Sequence, residues 1–257
     1  MTAGGVPLEV WFIDSRRSAH ALQFIEVTTP RLSDDEVTPR AASGTDHDSW
    51  RAQRIALRIL LERYTGERLR RTAFATSPAG KPSIPWRTDV EFSLSHTGVF
   101  GLIAIARDGP VGIDLEQARA LRFSSPRRAA LVAAAADLLP VGQCRDRIGD
   151  DICDDFTVLQ AWVRLEAWAK ARGTGIGALL SDLGIWGSKG ERATGMAIGN
   201  SARQLAQRDG FQVANLDLPD GLQGAVCAVR LSPPVIVRNF PADQSLIAEL
   251  ACAPIIC

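Results

Sequence analysis

The stretch Gly98-Val-Phe-Gly-Leu-Ile-Ala-Ile-Ala106 has an echo at Gly221-Leu-Gln-Gly-Ala-Val-Cys-Ala-Val229, with the same glycine spacing and the same apolar tail. A glycine turn leading into an unbroken apolar run reads as the return strand of a hairpin. A true repeat would fold the chain into two related halves with a cleft between them, where ligands often bind. Glycine turns entering apolar strands are also common, so the echo alone leaves coincidence open.

Around the first copy, residues 91–94 read as the outgoing strand of the hairpin, Thr97 and Gly98 as its turn, and 102–106 as the return. Upstream, 10–13 is a short strand and 28–48 a polar stretch rich in threonine and aspartate. Residues 50–64 mix Ile55, Leu57, Ile59, Leu60 and Leu61 with Arg51, Arg54, Arg58 and Arg63, the pattern of an amphipathic helix with a basic polar face. Downstream, Gly109 and Pro110 mark a turn, 111–115 a strand, 127–139 an alanine-rich helix and 156–171 a strongly apolar helix ended by Gly173, Gly175 and Gly177. Short strands are expected to follow, and the proline-spaced tail after Arg230 to be peripheral.

Composition bounds the partners. The 257 residues carry 29 Lys and Arg against 29 Asp and Glu, so no net field draws the chain to nucleic acid or to an anionic membrane. Neither a basic leader nor an apolar run long enough to span a bilayer is visible, which makes a cytoplasmic location and no membrane partner the expectation. Five scattered cysteines with no CxxC pair argue against a disulfide framework and a zinc site.

In Val111-Gly-Ile-Asp-Leu-Glu116, strand period two puts Asp114 and Glu116 on one face. Two carboxylates facing one way repel unless a cation sits between them, and Mg²⁺ takes carboxylate oxygens while keeping positions for water and phosphate. A solvated strand end is the bland alternative. In Trp162-Val-Arg-Leu-Glu166-Ala-Trp-Ala-Lys170, Glu166 and Lys170 share a helix face, and the neighbours Trp162, Val163 and Ala169 make that face largely apolar. A carboxylate there needs a partner, and a metal ion beside a phosphate-binding lysine supplies one. Gly80-Lys81-Pro82 and Phe92-Ser-Leu-Ser-His-Thr-Gly98 add a cation on a turn and a strand end with hydroxyl and imidazole donors for an anion. Ser95 and His96 are adjacent strand residues and point to opposite faces, which argues against a Ser-His nucleophile pair.

Taken in order, GKP at 80–82, FSLSHTG at 92–98, VGIDLE at 111–116 and WxxxEAxxKAxGxG at 162–175 resemble the signature of the surfactin-type 4′-phosphopantetheinyl transferases. The resemblance covers roughly residues 50–230 and implies an α+β fold of two similar subdomains in pseudo-twofold arrangement, with the active site in the cleft between them. It implies an N-terminal half at 1–108 on the nucleotide side, a C-terminal half at 109–231 carrying metal site and signature helix, and a tail at 232–257. It further implies transfer of the phosphopantetheine arm of coenzyme A to a serine of an acyl, peptidyl or aryl carrier protein, with release of 3′,5′-ADP.

Carried over residue by residue, Asp114, Glu116 and Glu166 would hold Mg²⁺, or Mn²⁺, against the pyrophosphate of coenzyme A, and Lys170 and His96 would contact its oxygens. Lys81 and Pro82 would border the adenine, and Ser95 and Arg54 would lie near the 3′-phosphate. Glu166, or a water it orients, would accept the proton of the carrier serine. The chain departs from the family pattern at Leu165, where lysine is usual, in the thin arginine supply before Arg54, and after Pro126, where Arg127 and Arg128 stand in place of an acidic residue. Arg119, Arg122, Arg127 and Arg128 would then meet an acidic carrier. A monomer is expected. A non-catalytic coenzyme A sensor or scaffold and a Mg²⁺-dependent phosphohydrolase are the alternatives.

Overall fold

The computed structural model describes residues 8–37, 45–107, 109–136, 138, 154–186, 195–232 and 234–252. A first series of elements runs β1 (Leu8–Asp14), α1 (Ser15–Thr28), α2 (Asp34–Val37), α3 (Thr45–Thr65), the short pair β2 (Ala75–Thr76) and β3 (Pro82–Ser83), β4 (Glu91–Thr97) and β5 (Phe100–Ala106). A second runs β6 (Val111–Gln117), α4 (Ser125–Ala136), α5 (Asp155–Arg172), α6 (Ile176–Asp182), α7 (Gly195–Asp209), β7 (Gln212–Asn215) and β8 (Leu222–Ala228). β9 (Val237–Asn239) and α8 (Gln244–Cys252) close the described chain.

The helix ends follow from local chemistry. The Asp14 carboxylate accepts from the Arg16 amide and starts α1, and Asp154 does the same for α5 by accepting from the Thr157 amide at 2.6 Å. α5 stops at Gly173, whose φ of 70° suits a residue without Cβ.

The two series share a connectivity. In each, the first strand leads through helices to a strand pair, the last strand lies between the other two, and all neighbours are antiparallel: β4-β5-β1 in the first sheet, β7-β8-β6 in the second. The repeated sequence falls on β5 and β8 and on the turns before them. Gly98 and Gly221 both have positive φ, Gly101 faces Ile13 across the ladder, and Gly224 faces Leu115. One residue on, Leu102 faces Phe12 and Ala225 faces Asp114, so Phe12 stands in the first series where Asp114 stands in the second.

Three apolar clusters hold these layers. One lies between α1, α3 and the first sheet, around Leu22, Leu60 and Phe92; another lies between α4, α5, α7 and the second sheet, around Trp168 and Leu165. The third joins the two sheets through Val10, Phe12, Leu102 and Ala104 against Ile113, Leu115 and Val226. Burial of such clusters, at roughly 25 cal/mol per Å² of apolar surface, is the main force holding the two sheets together.

Three expectations need correction. The tail is not peripheral: β9 adds a parallel edge strand beside β1, Phe240 donates its amide to the Phe12 carbonyl at 2.8 Å, and Ile247 of α8 is fully buried against the first core. Gly177 itself lies in a helix, α6, and α7 follows before the strands. The helix at 50–64 does not carry all its arginines on a solvated face. Arg58 is completely buried, donating to Glu36, Ser33 and the carbonyls of Leu69 and Thr72, so its charge is met by acceptors from two segments, 33–36 and 69–72. Among the described residues no helix is long and apolar enough to cross a membrane.

Candidate functional site

The edge strands β4 and β6 of the two sheets meet at a seam bridged by side-chain hydroxyls. Period two turns Ser93 and Ser95 to the same face of β4. Ser93 Oγ accepts the Ile113 amide at 3.1 Å, and Ser95 Oγ accepts the Leu115 amide at 3.2 Å. Buried amides on an edge strand need acceptors. Here serine hydroxyls supply them, which fixes the register of VGIDLE against FSLSHTG.

The signature helix α5 lies across the same strand at very short range. A Cβ built on Gly112 would stand 2.0 Å from the Ala167 carbonyl oxygen and 2.4 Å from the Ala171 nitrogen, so glycine is what allows the helix backbone to seat on β6. That approach carries Lys170 to the seam. Its ammonium donates to Asp114 Oδ1 at 2.7 Å, to Ser95 Oγ at 3.1 Å and to the Ile113 carbonyl at 3.1 Å.

Asp114 is 4% exposed. Its Oδ1 accepts from Ser95 at 2.8 Å as well as from Lys170, whereas its Oδ2 is buried with no hydrogen-bond partner. Glu166, one helical turn before Lys170, likewise has a buried Oε2 with none. Burial pushes the Glu166 carboxyl up to about 7; the negative charge of Asp114 adds to the rise, Lys170 opposes it, and Glu116 adds a smaller push. Glu116, at the open end of β6, is about a quarter exposed and pairs with Arg119 at 3.4 Å.

Two orphaned buried carboxylate oxygens and three acids that feel one another form an oxygen donor set suited to a hard divalent cation. Among the described residues, however, no three His, Cys, Asp or Glu side chains are gathered as a ready cage. Lys170 and Arg119 hold two of the three carboxylates instead.

The remaining sequence-derived residues stand apart from this centre. His96 is exposed at the end of β4, opposite Gly101, on the other face from Ser95. Arg54 on α3 pairs with Glu36 at 3.3 Å and lies over the Trp50 ring, while Lys81 pairs with Glu91 at 2.9 Å, beside Pro82 in β3. Leu165 is fully buried in the second core, so the departure from lysine there is a packing residue. Of the four arginines after β6, Arg122 is exposed, Arg119 holds Glu116, Arg127 lies over the Trp186 ring, and Arg128 is tied to Asp155 and the Leu121 carbonyl. The acidic stretch at 146–155 lies largely outside the described residues.

Sequence reasoning missed Ser93 and the role of Gly112. The alternation Ser93, Ser95, Thr97 was a signal for the first, since three hydroxyls on one strand face suit an edge that must bond without a ladder.

No family model matches the chain. Two curated proteins are similar to it. One, from Synechocystis sp., is named "Putative 4'-phosphopantetheinyl transferase" and is 29% identical over 145 residues, 54% of each chain. The other, 4′-phosphopantetheinyl transferase Sfp of Bacillus subtilis, is 30% identical over 112 residues, 44% of this chain and 46% of that one. The chain thus spans about half the length of the curated relatives it matches. Both bear the name of the family that the four motifs resemble.

Proposed function

We propose that this protein transfers the 4′-phosphopantetheine arm of coenzyme A to a serine of a carrier protein, releasing 3′,5′-ADP. The observation that carries the reading is the meeting of Ser95, Asp114, Glu166 and Lys170, from three separate motifs, at one seam between two sheets of like connectivity. That shared connectivity supports the division into halves at 1–108 and 109–231 with a pseudo-twofold relation. The two relatives support the reaction class.

In this reading Asp114, Glu116 and Glu166 hold Mg²⁺ or Mn²⁺, which when bound neutralises charge on the pyrophosphate. Lys170 stabilises the negative charge that gathers on the transferred phosphoryl group. The carrier serine oxygen forms a bond to the β-phosphorus as the bond to the departing ADP oxygen breaks. Glu166, or a water it orients, takes the serine proton. Lys81 and Pro82 border the adenine, His96 contacts the pyrophosphate, and Arg54 lies near the 3′-phosphate; for Arg54, binding phosphate means exchanging Glu36 for it. Of Arg119, Arg122, Arg127 and Arg128, the exposed Arg122 is the one best placed to meet an acidic carrier, whereas Arg128 is held by Asp155 and the Leu121 carbonyl.

The test is direct. Purified protein with an apo carrier, coenzyme A and Mg²⁺ should add one phosphopantetheine mass to the carrier; no gain across acyl, peptidyl and aryl carriers overturns the reading. A second reading, coenzyme A binding without transfer in a sensor or scaffold, draws on Leu165, a buried packing residue where the family usually has lysine. It predicts a calorimetric signal for coenzyme A with no change in carrier mass.

A further inference from the structure

The Ser95 hydroxyl has one proton and two lone pairs, and all three are committed inside the protein. The proton goes to Asp114 Oδ1 at 2.8 Å, and the lone pairs receive the Leu115 amide at 3.2 Å and the Lys170 ammonium at 3.1 Å. The residue is 7% exposed, within the seam between β4 and β6. We infer that Ser95 is a positioning residue that turns the Asp114 carboxylate, and not a ligand of the 3′-phosphate of coenzyme A as the family resemblance implies.

The consequence lies in how Asp114 is oriented. With Oδ1 held by Ser95 and Lys170, the rotation of the carboxylate is fixed, and Oδ2 is the oxygen left without a protein partner. Ser95 is therefore to Asp114 what a hydrogen-bonded outer partner is to a metal-binding carboxylate, a class of residue whose loss typically costs about 10–100-fold in affinity or activity. A hydroxyl with no free lone pair or proton can bind a phosphate only by giving up one of these three contacts, each made to a buried or charged group. The Leu115 amide comes from β6 and the Lys170 ammonium from α5, so one hydroxyl ties three elements to the same carboxylate oxygen.

This inference rests on the transferase reading for its kinetic consequence but not for its structural one, and the experiment separates the two. Ser95→Ala and Ser95→Thr are compared with the unmodified protein for hydrogen exchange at the Leu115 amide, for Mn²⁺ binding, and for kcat and KM with coenzyme A and with 3′-dephospho-coenzyme A. The expected result for Ser95→Ala is faster exchange at Leu115, Mn²⁺ binding weaker by about 10–100-fold, and a fall in kcat of the same order, with the preference for coenzyme A over its dephospho form unchanged. Ser95→Thr, which keeps the hydroxyl, restores all three.

Selective loss of the 3′-phosphate preference in Ser95→Ala, with kcat kept, overturns the inference in favour of a phosphate ligand. Unchanged exchange at Leu115 overturns it as well, and that readout needs no turnover. A protein that transfers nothing, yet shows faster Leu115 exchange and weaker Mn²⁺ binding in Ser95→Ala, defeats the transferase reading and leaves the positioning role standing.

Discussion

The Lys170 ammonium stands 2.7 Å from Oδ1 of Asp114, a residue 56 positions earlier in the chain and on another element. Asp114 is buried, so this cation is a principal counter-charge to its carboxylate, whereas the lysine itself keeps 28% of its side chain exposed. Lys170→Ala leaves the carboxylate with Ser95 alone. Breaking a fully buried pair costs about 3–5 kcal/mol, and solvent around the ammonium reduces this to about 1–2 kcal/mol. Denaturant melts should show that loss, and Asp114→Asn in the same chain should recover part of it. A double-mutant cycle with no coupling would remove the ion pair as a source of stability. Transfer by Lys170→Ala should fall by about 100-fold or more, the scale for loss of one preorganised charge stabiliser.

Glu166 yields a dependence on pH. In the folded protein its carboxyl titrates near 7, against an ordinary glutamate value of 4.5. Between those values the folded state binds the extra proton, so this group's contribution is full below about pH 4.5 and is lost as pH rises through about 7. In EDTA, the gap in melting temperature between the protein and Glu166→Gln should change across that window and level off on both sides. A constant gap across the window contradicts the burial of Glu166.

Asp114 with Glu116, and Glu166 with Lys170, were legible because each pair sits within one element, where period two or the helical turn decides which side chains share a face. Ser95 on Asp114 was not, because that contact crosses from β4 to β6, and nothing local to either strand says which edges meet. The burial of Arg58 was hidden for a related reason. Helical periodicity assigns charge to the solvent face, and only the fold brings Glu36, Leu69 and Thr72 around the guanidinium. β9 is three residues long in a proline-spaced segment, too short to show a period, and its place is set by the open edge of β1. The echo between β5 and β8 was visible but ambiguous; the structure adds that Gly101 and Gly224 both sit on the middle strand of their sheets, facing Ile13 and Leu115.

Gly112→Ala should be among the most damaging small changes in the chain. Its Cβ would lie 2.0 Å from a helix carbonyl oxygen, and backbone on both sides leaves no side chain to rotate away. Either α5 moves off β6 or the strand buckles, at a cost of about 3 kcal/mol or more. Both responses carry Lys170 and Glu166 away from Asp114. Gly177→Ala is the control: it lies in α6 with nothing near its Cβ, and alanine there should be neutral or stabilise by up to about 1 kcal/mol. Equal melting temperatures for the two variants would refute the close approach.

The four arginines after β6 should separate by what they already hold. Arg122 is exposed, so Arg122→Glu should raise KM for an acidic carrier by roughly tenfold while leaving kcat and the KM for coenzyme A in place. The effect should shrink in high salt, because exposed charges are screened beyond about 8 Å at physiological ionic strength. Arg128 behaves differently, since its guanidinium holds the Leu121 and Phe123 carbonyls and Asp155 at the start of the signature helix. Arg128→Glu should therefore lower the melting temperature, with the fall in transfer tracking the unfolded fraction instead of the carrier concentration. A pure KM effect at Arg128, or a stability loss at Arg122, would reverse the two roles and move the docking charge from the loop to the helix start.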